Sequence, residues 1–158
     1  MLITNDHTVM RFDTNGTSKG IFATGLSFAY GMLQLDAPLG SKKHIIVADK
    51  VMQEVLIFDL EDGFAAFPVG GLTPSQALKR MSVAGNPRYM ALGMGSNEIM
   101  VVVEDTEGGQ AMWKVVQLNI QTHDHTTPPL TLLSSELPVA GIAVLKSQNK
   151  FLVAIRSR

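Results

Sequence analysis

Four positions in this chain put a polar or charged residue directly after an apolar run: Asn5, Asp49, Glu104 and Arg156. If those runs are equivalent strands, their ends meet at one rim, with Arg88 and Tyr89 beside them. The chemistry available there is that of a small polar ligand. A guanidinium fork matches a planar carboxylate, and any proton transfer to or from a ligand needs a positioned base. A tyrosine with its ordinary pKa near 10 is a poor base at pH 7. The plainer alternative is that Glu104 and Arg156 are solvated residues at strand ends. Other constellations offer less. His123 and His125 are two imidazoles two residues apart, and no third His or Cys ligand is signalled by spacing, so no metal is expected. His7 and His44 have no visible partner. Gly93 and Gly95 lack the strand–loop–helix setting of a phosphate loop. Asp13, Asp59 and Asn119 read as turn residues whose side chains bond nearby backbone.

The elements that must position these groups are strands. The chain has 158 residues, 46% of them hydrophobic and 17% charged, enough for one domain with a core. A net charge of −1 gives no footprint for nucleic acid or an anionic membrane surface. There is no cysteine, which removes disulfides, thiolate metal sites and cysteine nucleophiles. No apolar run reaches the ~18 residues of a membrane span. The opening MLITNDHTVMRFD lacks the pattern of a signal peptide, which favours the cytoplasm slightly and leaves the compartment open. Short runs rich in Val and Ile recur at 44–48 (HIIVA), 55–58 (VLIF), 99–103 (IMVVV), 115–118 (VVQL) and 151–155 (FLVAI), with Gly, Asn, Asp and Pro turns between them. One short helix is expected over 74–81, with Thr73 as N-cap.

The runs repeat. NEIMVVVED from Asn97 aligns without a gap on NKFLVAIRS from Asn149, and SKKHIIVAD and MLITN fit the same frame. The residues after the runs are then 44, 55 and 52 positions apart, near the ~40–50 of WD40 and kelch repeats. VMRFD, VLIFD and VVQLN form a second set that ends in Asp or Asn. Each unit reads as a four-stranded antiparallel propeller blade. The inner strand is expected at 89–93 and 141–145, followed by the HIIVA-type and then the VLIFD-type strand. The outer strand is expected near 21–23, 65–67 and 130–133. This gives an all-β single segment with blade parts at about 1–27, 28–72, 86–134 and 138–158. A β-sandwich of similar strand count is the alternative. Rings close with ~4–8 blades. A little over three blades therefore calls for further blades from the same full-length protein or for a homo-oligomer. The methionines are expected to fill gaps between sheets, and Trp113 and Phe58 to lie in the core.

These residues resemble a known family. VADKVMQEVLIFD, NPRYMALGMGSNEIMVVVED and PVAGIAVLKSQNKFLVAIRSR look like successive blades of the seven-bladed lactonase propellers, which include 6-phosphogluconolactonases and carboxy-muconate cyclases. The family's motifs run Val-Pro-Asp-Leu-Gly, Gly-Pro-Arg-His, Val-Asn-Glu, Ala-Glu-Ile and Ser-Asn-Arg. Val47-Ala48-Asp49, Asn86-Pro87-Arg88-Tyr89, Val102-Val103-Glu104, Ala140-Gly141-Ile142 and Ala154-Ile155-Arg156 match them in part. Tyr89 precedes Glu104 by 15 residues, as Gly141 precedes Arg156.

The resemblance covers residues 41–158. It implies a polar funnel that opens or closes a lactone, for a small carboxylate or sugar lactone. Glu104 and Arg156 would be the catalytic residues, Arg88, Tyr89 and Asp49 would bind substrate, and neither metal nor cofactor would be needed. Tyr89 stands where the family has His, and Gly141 where it has a second Glu. Catalysis is therefore expected to be impaired, with little or no lactonase activity. The other reading is a non-catalytic propeller module for binding, of the NHL or gluconolactonase-like type. A His and a second carboxylate in the funnel would favour the enzyme.

Overall fold

A computed structural model describes residues 1–36, 42–61, 70–124, 126 and 128–157. The chain is all-β, folded into blade-like antiparallel sheets that do not close into a ring. The first sheet contains β1 (Leu2–Asn5), β2 (Thr8–Phe12) and β3 (Ser18–Ala23), in that order. The second runs β4 (Ala29–Asp36), β5 (Lys43–Asp49), β6 (Glu54–Asp59) and β7 (Lys79–Ser82). The third runs β8 (Asn86–Leu92), β9 (Glu98–Glu107), β10 (Gln110–Asn119) and β11 (Leu130–Ser135). The fourth pairs β12 (Val139–Leu145) with β13 (Lys150–Ile155). The HIIVA, IMVVV and FLVAI runs thus fall in three different sheets, each second in its sheet, as the repeat predicts and a sandwich does not.

Turn chemistry sets these meanders. β9 and β10 are joined by Gly108 and Gly109 at φ +58° and +82°, the two positive-φ positions of a tight hairpin. Asp13, Asp59 and Asn119 act as the turn residues expected. The Asp13 carboxylate accepts from the amides of Asn15 and Thr17, the Asp59 carboxylate from Glu61, and the Asn119 side-chain oxygen from Gln121 and Thr122. After the second sheet's third strand, the chain returns to the first sheet. Leu72 bridges Ala23 in parallel, with its amide donating to Phe22 and its carbonyl accepting from Thr24. Gly71 passes so close that a Cβ would lie 2.9 Å from Ile21 Cγ2 and 3.0 Å from its carbonyl oxygen, at φ +79°, so only glycine fits.

The sheets stack face to face, and each contact is a separate apolar layer. Val9, Phe22, Ile45, Val47, Leu56 and Phe58 fill the layer between the first and second sheets. Ile46, Ile57, Met81, Ile99, Val101 and Val103 fill the next. Val102, Val115 and Val139, with Trp113 and Phe151 packed on them, fill the third. Strands β5, β6 and β9 are covered on both faces, which is why they read as continuous apolar runs rather than alternating ones.

One expectation is corrected. Only Pro74–Gln76 form a single 3-10 turn of the helix expected over 74–81, because Lys79–Ser82 are recruited as β7 along β6. Sheet pairing overrides the local signal of the Thr73 cap. The outer strand expected at 65–67 lies outside the described residues. Among the described residues, β7 is the strand beside β6, and the second sheet includes residues up to Ser82.

Burial creates one pH-sensitive point. His44, only 1% exposed on β5 and opposite Asp59, has no hydrogen-bond partner for Nδ1 among the described residues. Loss of hydration pushes its pKa below 6.5, which the charge of Asp59 partly opposes and that of Lys42 reinforces. A base with a depressed folded-state pKa takes up its proton more readily in the unfolded chain. Its neutral form therefore supports the fold above the unfolded pKa near 6.5, and that support is lost as pH falls through the folded value. Urea unfolding should give a midpoint that drops from pH 7.5 to pH 5, and His44→Leu should flatten that slope. An equal slope in the variant would assign the sensitivity to other groups.

Candidate functional site

The site is built by a bulge that recurs in each inner strand. On β4, Ala29 pairs with Asp49 and Gly31 with Ala48, so Tyr30 is passed over. On β8, Pro87 pairs with Val103 and Tyr89 with Val102, which passes over Arg88. On β12, Val139 pairs with Ile155 and Gly141 with Ala154, which passes over Ala140. An extra residue kinks the strand and re-aims its side chain. Tyr30, Arg88 and Ala140 are therefore equivalent, and all lie at the same end of the stack.

The bulges also fix the true repeat register. Asp49, Val103 and Ile155 share one position, and Lys50, Glu104 and Arg156 share the next. The sequence alignment placed Asp49 with Glu104 and is off by one. A slip of one residue turns a side chain to the opposite face. Val103 packs toward the second sheet, and Asp49 likewise faces back toward the first. There Asp49 is 1% exposed, and its carboxylate accepts from the amides of Ser27 (2.7 Å), Phe28 (3.1 Å) and Met52 (3.3 Å). It pins the chain just before β4 and leaves little capacity for a ligand. Lys50 is the cation in line with Glu104 and Arg156.

Arg88 and Glu104 are brought together. The Arg88 Nε and Nη2 both donate to one Glu104 oxygen, Nε at 2.9 Å. The guanidinium lies 5.1 Å from the Tyr30 ring of the second sheet and 5.9 Å from the Trp113 ring of its own. Both are within cation–π range. Tyr30 meets the Tyr89 ring edge-on at 5.9 Å and stacks on Phe28 at 6.3 Å, and Lys50 Nζ stands 5.5 Å from the Phe28 ring. Burial pulls the Arg88 pKa down, but Glu104 and Tyr30 more than offset this, so it stays above its ordinary value. The Tyr30 hydroxyl, and then burial, raise the Tyr89 pKa, while Arg88 and Arg156 pull it the other way. Tyr89 is a protonated phenol at neutral pH, a donor rather than a base.

Arg156 follows β13, its amide held by the Pro138 carbonyl and its charge felt at Tyr89. Its guanidinium has no carboxylate partner among the described residues. The mouth therefore carries the cations Lys50, Arg88 and Arg156 against the carboxylate Glu104, with Phe28, Tyr30, Tyr89 and Trp113 as its aromatic frame. The sequence reading missed Phe28, Tyr30 and Lys50, and assigned Trp113 to the core alone. The register shared by the AYG and PRY bulges, visible only once the strands pair, is what identifies Tyr30.

The histidines lie elsewhere. His7 Nδ1 bonds the Leu26 carbonyl oxygen, and buried His123 turns Nε2 to the Ser82 carbonyl. His125 lies outside the described residues. No cluster of three or more His, Cys, Asp or Glu suited to a metal occurs among the described residues. No described helix is long and apolar enough to cross a membrane. No protein-family model matches the chain, and no curated protein matches it.

Proposed function

We propose that this chain is a β-propeller segment whose mouth, at the starts of the inner strands, binds a small carboxylate or sugar acid without turning it over efficiently. The observation that carries this reading is the Arg88–Glu104 pair, laid between Tyr30 and Trp113 and flanked by Tyr89 and by Arg156, which has no carboxylate partner among the described residues. Arg156 offers a carboxylate fork, Tyr89 and Tyr30 offer hydroxyls, and excess positive charge favours an anion. Glu104, engaged by Arg88, is poorly placed to take a proton, and Tyr89 is raised away from that task. The same geometry fits a degenerate lactonase-type funnel that has kept its binding groups. Further blade-like sheets, on the same polypeptide or a second copy, complete the funnel.

Trp113 is the sole tryptophan and reports occupancy by fluorescence. Titration with 6-phosphogluconate is expected to saturate, and Arg156→Ala to weaken it about tenfold or more, ~1.4 kcal/mol. Turnover of 6-phosphogluconolactone and of a carboxymuconolactone is expected to be negligible. Binding that is unaffected by Arg156→Ala would remove the mouth as the site. Robust turnover lost in Glu104→Gln would replace the binding reading with an enzyme.

A further inference from the structure

Tyr30 and Tyr89 are the two tyrosines of the sequence, and their rings meet. They come from different sheets. Tyr30 is the bulged residue of β4, and Tyr89 follows the bulged residue of β8. The ring centroids are 5.9 Å apart and the planes cross at 78°, within the range of direct edge-to-face contact.

The backbone explains why they come so close. Gly31 follows Tyr30, Arg88 precedes Tyr89, and a Cβ on Gly31 would lie 3.0 Å from the Arg88 carbonyl oxygen. A larger residue there would press β4 and β8 apart, and the two phenols with them. Each ring is also 36% exposed, so an oxidant arriving from solvent reaches both.

We propose that this pair is a site of oxidative coupling, where a dityrosine bond staples the second sheet to the third. The oxidant is hydrogen peroxide used by a haem peroxidase, which removes electrons one at a time. Each phenol gives up one electron and its O–H proton and becomes a phenoxyl radical, with spin shared onto the ring carbons beside the oxygen. A carbon–carbon bond forms between two such carbons, one on each ring. The hydrogens on those carbons then pass to the oxygens and restore both phenols. Two hydrogens are lost in all, and one peroxide is reduced by them to two waters. Contact in the fold gives each radical its partner at once, whereas a tyrosine on another molecule must be met by diffusion. The bond closes a loop between positions 30 and 89 and so restricts the unfolded chain. This chemistry is independent of what the mouth binds.

The test treats the whole chain, in dilute solution, with catalytic peroxidase and small portions of peroxide. The product should show the blue emission of a biphenol and still migrate as a monomer. Tryptic digestion should join the peptide that begins at Gly20 to the one that begins at Tyr89. Its mass should lie two hydrogens below the sum of the two, apart from oxygen added to methionines as sulfoxide. The yield per chain should not change on tenfold dilution. Tyr30→Phe and Tyr89→Phe each keep the ring and the fold, and each should abolish the joined peptide. The coupled chain should unfold at a higher urea midpoint than Tyr89→Phe treated alike. Tyrosines that stay intact while Trp113 and the methionines are oxidised would overturn the proposal. Dityrosine found only in dimers, or a yield that falls on dilution, would assign the coupling to collisions and overturn it. A joined peptide with no gain in midpoint would deny the staple and overturn it equally.

Discussion

Replacing Phe58 with alanine should cost about 3–5 kcal/mol of unfolding free energy, a large part of the about 5–15 kcal/mol typical of a domain. Phe58 is fully buried on β6, and its ring meets Phe22 of the first sheet edge-on, centroids 6.4 Å apart at 86°. The layer it belongs to also holds Val9, Ala23, Ile45, Val47 and Leu72. Truncation removes both the transfer energy of the ring and the contacts of the cavity wall, which the stiff strands β5 and β6 cannot close over. Phe58→Leu should lose only about 1–2 kcal/mol, because much of the volume stays. Urea unfolding at unchanged m-value is the measurement. A loss below about 1 kcal/mol in Phe58→Ala would mean that this layer does not hold the first sheet.

Asp49→Ala should cost about 3 kcal/mol or more. Bonds to an ionised group are worth roughly 1.5–3 kcal/mol each and are not additive, and three amides lose their acceptor here. Asp49→Asn should recover part of this and not all. The retained oxygen can still serve Phe28 and Met52, but the new amide nitrogen would face the N–H of Ser27, donor against donor. Both variants should also weaken the mouth, since Asp49 fixes the approach to Phe28 and Tyr30. Asp49 is thus a positioning residue, read by a stability loss together with a changed Trp113 response. Full stability in Asp49→Asn would show that the Ser27 contact carries no weight.

The sequence disclosed the blade repeat because β5, β6 and β9 are buried on both faces, and only long Val and Ile runs satisfy that environment. It disclosed the strand-end Asp and Asn residues because their turn bonds are local. The strand Lys79–Ser82 stayed hidden, since its partner β6 lies some twenty residues away and a Thr73 cap signals a helix start more loudly. The candidate site was legible at Glu104, Arg88, Tyr89 and Arg156, whose spacing repeats. Asp49 was misplaced by one position because a bulge adds a residue on the inner strand and leaves no mark in the second strand, where the alignment was made. Tyr30 joins Arg88 only through packing between two sheets, and no linear pattern carries such a contact.

The shared bulge has a consequence for how this architecture changes over time. Tyr30, Arg88 and Ala140 have no opposite number in their own sheets. Substitutions there escape the cross-strand matching that constrains their neighbours. The three repeats already hold an aromatic phenol, a cation and a methyl group at that place, over apolar layers of one kind. Mouth chemistry and blade stability are therefore inherited as separable characters. A lineage can rewrite the side chains presented at that end of the stack, one blade at a time, while the layers beneath them stay under their own selection.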